Sequence, residues 1–220
     1  MKKLVFALVS VSLAVASPAA PRLGYQLDIS RYKVPTMGTL RRIVDILAKL
    51  GYDQFQLYTE HTFAYKGHEE VWREASPMTP DEVRELDAYC AARGIELVPN
   101  QNSFGHLENW LRHPGYNDLA EAPKGGTTTG SYTLKYPMCL CPTDPRSVTF
   151  VAGLYDQLFP CFRSKFVNVG GDETMELKDD HKPGIGRSAA VLAEKGPTRV
   201  YLDFMKKIHA LCVERGHVRS

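Results

Sequence analysis

Apolar positions follow two rhythms along this chain. Short apolar runs at Tyr25–Ile29, Gln54–Tyr58, Ile95–Val98 and Phe166–Val169 read as strands. Between them, apolar residues recur every three or four positions, as they do in helices that bury one face. Leu40, Ile43, Val44, Leu47 and Leu50 form the first such face, stopped by Gly51. Val83, Leu86, Tyr89 and Cys90 form the second, which opens on a capping box at Thr79–Glu82 with Pro80 at the first helical position and ends at Gly94. The third starts at Thr143–Pro145 and carries Val148, Val151, Leu154, Tyr155 and Leu158. Pro197 opens the fourth, with Val200, Phe204, Ile208, Leu211 and Cys212, and Gly216 closes it. Pro99 is expected to end the third strand, and a short helix is expected at Leu107–Arg112. Gly125–Gly130 reads as a flexible stretch in the loop between.

Strand and helix alternate four times, which predicts parallel βαβ units and an α/β fold. Loops after strands are long and loops after helices short, as in a (β/α)8 TIM-type barrel whose working loops all follow strands. A doubly wound sheet would put a glycine-rich turn after the first strand, where Ile29, Ser30 and Arg31 stand. A full barrel takes about 250 residues. The expectation is therefore an incomplete barrel, its first four βα units present and the chain cut just before strand five. Such a half leaves strand edges and an apolar face open. It is expected to be poorly stable alone, or to self-associate with a second copy.

Composition narrows the reading. Hydrophobic residues at 44% and charged residues at 24% are ordinary for a globular domain and argue against disorder or coiled coil. Basic residues number 27 and acidic residues 25, and the excess is Lys2 and Lys3. A balanced remainder with no basic run gives no ground for a nucleic acid or anionic membrane partner. Lys2 and Lys3 precede an apolar run at Leu4–Ala16 that ends in the small residues Ala14–Ala16. That pattern predicts a secretory signal peptide over residues 1–20, a domain over residues 21–220, and a secreted or periplasmic protein with no membrane attachment after cleavage. The alternative is a buried first helix. The cysteines, five in all, are too few and odd in number for a disulfide framework. Cys139 and Cys141 lack the second ligand pair a zinc site needs, and Cys90 and Cys212 fall on apolar helix positions.

The chemistry gathers where strands end. Asp172 and Glu173 follow the fourth strand after Gly170 and Gly171, on the face where barrels hold their active sites. Adjacent carboxylates push one pKa upward, and a carboxyl kept protonated near neutral pH serves as a general acid. The competing reading is a helix cap or a solvated pair. His106 ends the loop after strand three and could tune a neighbouring carboxyl, or simply be solvated. Glu60 and His61 follow strand two. Phe63, Tyr65, Trp72 and Trp110 share these loops, and their flat faces suit either sugar rings or packing over a core.

Leu27–Arg31 (LDISR), Pro99–His106 (PNQNSFGH) and Val169–Glu173 (VGGDE) together resemble glycoside hydrolase family 20, the β-N-acetylhexosaminidases. The likeness runs from Arg22 to Ser220 and matches the N-terminal half of that family's catalytic domain. It implies a retaining hydrolase acting on a terminal β-linked N-acetylhexosamine, with no metal or organic cofactor. The substrate's 2-acetamido oxygen would attack the anomeric carbon and form an oxazolinium intermediate. Asp172 would orient the acetamide, Glu173 would act as general acid and then base, and His106 would sit behind Glu173. Arg22 would bind sugar hydroxyls, although Leu23 holds the family's usual arginine position. Glu60 or His61 would replace an aspartate after strand two, Asn102 would line the pocket, and Trp110 would offer a ring to the sugar. A second half, with its tyrosine and tryptophan walls, completes the family's pocket. Two other readings stay open: a noncatalytic carbohydrate-binding remnant of the fold, and a barrel enzyme that uses the carboxylates and Glu60 as magnesium ligands.

Overall fold

The computed structural model describes residues 22–125, 128–129, 132–133, 135–177 and 186–219. The signal read over residues 1–20 lies outside them, as do three residues of the glycine-rich stretch, Gly126, Thr127 and Gly130. Thr128–Thr129 of that stretch pairs antiparallel with Tyr132–Thr133.

The chain runs β1 (Gly24–Asp28), α1 (Met37–Lys49), β2 (Gln54–Thr59), α2 (Pro80–Ala91), β3 (Glu96–Gln101), α3 (Pro145–Leu158), β4 (Phe166–Val167), α4 (Pro197–Glu214) and β5 (Val218–Arg219). β1, β2 and β3 pair in parallel in that order. A parallel bridge between Asn100 and Asn168 carries the sheet from β3 to β4, and β4 pairs in parallel with β5. A two-residue fifth strand is thus present, where the sequence pattern stops the chain before it. Further short helical turns lie in the loops, at Glu69–Trp72, Glu108–Leu111 and Ala189–Lys195 among others.

Helix signals written in the sequence act as expected. Thr79 accepts from Glu82 N while the Glu82 side chain returns to the Thr79 backbone. Asp144 caps α3 ahead of Pro145. Each long helix turns one stripe inward: Leu40, Val44 and Leu47 from α1, Val83, Leu86 and Cys90 from α2, Val151, Leu154 and Leu158 from α3, and Val200, Phe204 and Ile208 from α4. The cysteines are all buried and free.

Strand period sets the two faces of the sheet. Phe55, Leu57 and Leu97 are buried apolar positions that share one parity. The alternate parity carries side-chain amides. Asn100 Nδ2 donates to Gln26 Oε1 at 2.9 Å and Gln56 Oε1 at 3.2 Å, and Asn168 Nδ2 reaches Gln56 Oε1 at 3.1 Å. Buried amides need such partners, so the network fixes the lateral register of four strands.

β3 does not stop at Pro99 but runs through it to Gln101. Proline lacks an N–H, which is tolerable only where the sheet does not need it. Pro99 still accepts from Asn168 N at 2.9 Å, on the side facing β4. The donor it lacks would point at the Phe166 carbonyl, and the Ser164 hydroxyl lies 3.3 Å from that oxygen.

Candidate functional site

The turn after β4 is built by close approach. Asn168 Oδ1 accepts from Gly170 N at 3.0 Å and starts it. Gly170 and Gly171 have φ of 63° and 104°, which side chains rarely adopt. A Cβ on Gly170 would stand 1.8 Å from Asn102 Oδ1, so nothing but glycine fits there. Glu173 itself takes φ 48°, a left-handed conformation that costs a non-glycine residue energy. From the other side Gly105 packs on the Asp172 carbonyl. The turn is thereby clamped between the ends of β3 and β4, and it presents Asp172 and Glu173 with side chains more than half exposed.

His106 follows Gly105 with φ 55° and is buried. Its Nε2 lies 3.3 Å from Asp172 Oδ2 and 3.2 Å from Glu173 Oε2. These are ion-pair distances without the alignment of a hydrogen bond. Its Nδ1 lies 3.9 Å from Glu60 Oε1. Glu60 is almost fully buried, and Tyr58 Oη donates to its Oε1 at 2.9 Å. Burial, with Glu108 nearby, raises the Glu60 carboxyl to about 7. Burial and the same carboxylate push the Tyr58 phenol far up, so it stays a donor. Arg31 Nη2 stands 3.8 Å from Glu60 Oε1 and also pairs with Asp28. The Glu60 backbone is pinned as well: its carbonyl accepts from Trp110 Nε1 at 2.7 Å and Gln101 Nε2 at 3.0 Å, and its N–H donates to Ser30 Oγ at 2.8 Å. A line of polar groups thus runs from Tyr58 through Glu60 and His106 to the carboxylate pair. Its buried carboxyl can hold or release a proton near neutral pH. Asp172 and Glu173 open on a cavity of about 400 Å³ shared with Thr174, Pro197 and Tyr201.

The structure brings four of the sequence-selected residues together: Asp172, Glu173, His106 and Glu60. Asn102 lies beneath the turn, fully buried and beside the Tyr58 phenol. His61 lines a different cavity, beside Arg31 and Arg112. Trp110 offers no ring to a sugar. It is fully buried against Tyr65, Tyr116 and Phe150, with centroids at 5.6, 5.4 and 5.1 Å, and supports Glu60 from below. Arg22 stands at the other end of the sheet. It pairs with Glu96 at 2.6 Å and lies over the Phe166 ring, and these are the first residues of β3 and β4. Tyr58, Asp28 and Arg31 were not selected from the sequence as site residues, although the latter two stand where strand one ends, and that position was the available signal. Among the described residues no group of three His, Cys, Asp or Glu side chains is gathered as a metal would need.

Parallel β/α units in sequential order, with ionisable side chains collected where the strands end, place the chain in the α/β class that includes TIM-type barrel enzymes. Within that class the chain belongs to glycosyl hydrolase family 20, whose catalytic-domain model matches residues 23–219. It is 26% identical to a β-hexosaminidase of Akkermansia muciniphila, over 82% of this chain and 44% of that protein. It is 24% identical to the β-hexosaminidase subunit beta of Mus musculus, over 71% of this chain and 30% of the other. Among solved structures, a Flavobacterium johnsoniae chitobiase superposes with a TM-score of 0.74 at 22% identity, over 92% of this chain and 31% of that one. An exo-β-N-acetylglucosaminidase from Vibrio harveyi, solved with N-acetylglucosamine, gives 0.73 at 16% identity, over 92% and 35%. The chain spans less than half the length of these relatives.

Proposed function

We propose that this chain contributes the first four βα units of an eight-unit barrel to a secreted or periplasmic β-N-acetylhexosaminidase, which removes terminal β-linked N-acetylhexosamine from an oligosaccharide or glycoconjugate. The observation that carries this reading is the consecutive pair Asp172–Glu173, held on one turn with the His106 ring within 3.3 Å of both. Neighbouring carboxylates on a single turn meet the sugar from the same side. That arrangement suits a retaining, substrate-assisted reaction, in which the nucleophile is the substrate's own acetamide rather than a second carboxylate across the ring.

Asp172 hydrogen-bonds the acetamide N–H and offsets the positive charge that grows as its oxygen attacks the anomeric carbon. Orientation of an internal nucleophile is worth several kcal/mol of barrier. Glu173 gives its proton to the leaving oxygen as the glycosidic bond breaks, and then takes one from the water that opens the oxazolinium ring. His106 touches both carboxylates and steadies Glu173, while Glu60 and Tyr58 fix the ring from behind. Walls for the exposed side of the pair come from beyond these four units or from self-association along the open sheet edge.

The test is release of p-nitrophenol from its N-acetyl-β-glucosaminide and N-acetyl-β-galactosaminide, beside the Glu173→Gln variant. Turnover that drops by about 10²–10⁴ in the variant is the expected result for a lost general acid. A folded protein that releases nothing from either substrate makes this chain by itself an inactive part of a hydrolase or a noncatalytic carbohydrate-binding remnant, and turnover that persists undiminished in Glu173→Gln refutes the role given to the pair.

A further inference from the structure

A second cavity, of about 340 Å³, opens on the far side of Arg31. It lies between the loops that follow β1 and β2, with Arg112 from the segment after β3. Its volume falls in the range of small-molecule sites, about 300–1,000 Å³. Its lining is cationic. Arg31, Lys33 and Arg112 face Glu74, the one carboxylate among the lining side chains. Arg31 is committed to Asp28 and Glu60. Lys33 and Arg112 are exposed and have no ion-pair partner among the described residues. His61 lines the same cavity, is 7% exposed, and its Nδ1 has no hydrogen-bond partner there. Burial, with the Arg112 charge nearby, lowers its pKa to about 4, so the ring is neutral. A buried neutral imidazole that lacks a partner is costly unless a ligand or water completes it. At the lip, Tyr32 is fully exposed, and a flat ring in water beside a polar cavity is a platform for a sugar face.

We propose that this cavity is a saccharide subsite for an acidic sugar, in which Lys33 and Arg112 take a carboxylate or sulfate, His61 hydrogen-bonds from within and Tyr32 stacks on the ring. The proposal rests on the carbohydrate-active reading above and adds a substrate class to it. Arg31 and Glu60 form the partition between this cavity and the carboxylate pair. An acidic unit bound here therefore lies at the same end of the strands as the bond to be cut, which suits an acidic unit elsewhere in the substrate.

The experiment is calorimetric titration of the full-length Glu173→Gln protein with glucuronic acid, N-acetylglucosamine 6-sulfate, neutral N-acetylglucosamine and inorganic sulfate, at low and high salt. At least one acidic sugar is expected to bind about tenfold more tightly than the neutral one, the size of one charged hydrogen bond. High salt should shrink that preference, because both cations are exposed. The Lys33→Ala/Arg112→Ala double variant should abolish it, and Tyr32→Ala should weaken acidic sugars without weakening inorganic sulfate. Which acidic sugar responds separates a carboxylate site from a sulfate site. Equal affinity for acidic and neutral sugars, an intact preference in the double variant, or inorganic sulfate binding as tightly as the sulfated sugar would overturn the proposal. Failure of the hydrolase reading shows separately, in p-nitrophenol release, and leaves these affinities unchanged.

Discussion

Replacing Gly105 with alanine places a methyl carbon 2.4 Å from the Asp172 carbonyl oxygen and 3.3 Å from that of Glu173. Real Cβ contacts stay beyond 3.0 Å, so a shift of at least about 0.6 Å is required. Both atoms it meets belong to the backbone, so no side chain can swing aside. The turn must move, and it is already fixed underneath by Asn102 against Gly170. Overpacking of this kind costs about 1–3 kcal/mol. The displacement falls on the two carboxylates, and an error near 1 Å in a reacting group can cost about a hundredfold in rate. The expected outcome for Gly105→Ala is a loss of about 1–3 kcal/mol in urea unfolding. A fall of about ten- to a hundredfold in kcat against p-nitrophenyl N-acetyl-β-glucosaminide should accompany it. Unchanged stability would refute the close approach itself. Lowered stability with wild-type kcat would refute the link between the loop after β3 and the position of the carboxylates.

The remaining predictions concern stability. Gly153 lies inside α3 with nothing within 4 Å of an added Cβ, so Gly153→Ala should raise unfolding stability by up to about 1 kcal/mol. Thr79→Ala removes one arm of the capping box on α2 and should cost about 1 kcal/mol by the same assay. Burial raises Glu176 to about 7, so the folded protein binds its proton more tightly than the unfolded chain does. Stability from this group is full below the unfolded pKa and is lost as pH rises through the folded one. Glu176→Gln should therefore flatten the fall in stability between pH 4.5 and 7 by up to about 3 kcal/mol, measured as the difference from wild type at each pH. Glu60 acts in the same direction and His61 in the opposite one, so only that difference isolates Glu176.

Periodicity exposed the helices because each needed one apolar stripe, and Thr79, Asp144 and Pro197 marked their starts. Asp172, Glu173, His106 and Glu60 were legible because each sits just past the end of a strand. Pro99 misled because a proline looks like a stop. What decides its fate is the direction of the missing N–H, and that depends on a neighbouring strand nearly 70 residues away in the chain. Trp110 misled because a ring in a loop reads the same whether it faces water or core; only the surrounding Tyr65, Tyr116 and Phe150 decide. Arg22 precedes its strand, so strand direction puts it at the wrong end of the sheet for a site where strands finish. The bond from Tyr58 to Glu60 joins residues two apart on one face, a contact that period-two spacing allows but does not announce.

The proline inside β3 divides the sheet by how firmly it is laced. β1, β2 and β3 share registers of five and six consecutive residue pairs, whereas β3 meets β4 at the single bridge between Asn100 and Asn168. Backbone bonds there run from Asn168 N to Pro99 O and from Gln101 N to Asn168 O, with no donor at position 99 to add a third. In amide hydrogen exchange the seam is therefore expected to be where cooperative units part, with β4 opening at lower free energy than the three strands before it. Asp172 and Glu173 hang from the looser unit, and His106 and Glu60 from the tighter one. An opening of the seam would carry the carboxylates away from the imidazole, so the contact between them depends on that bridge, on the Asn168 and Ser103 side-chain bonds that cross it and on the close packing of Gly105 and Gly170.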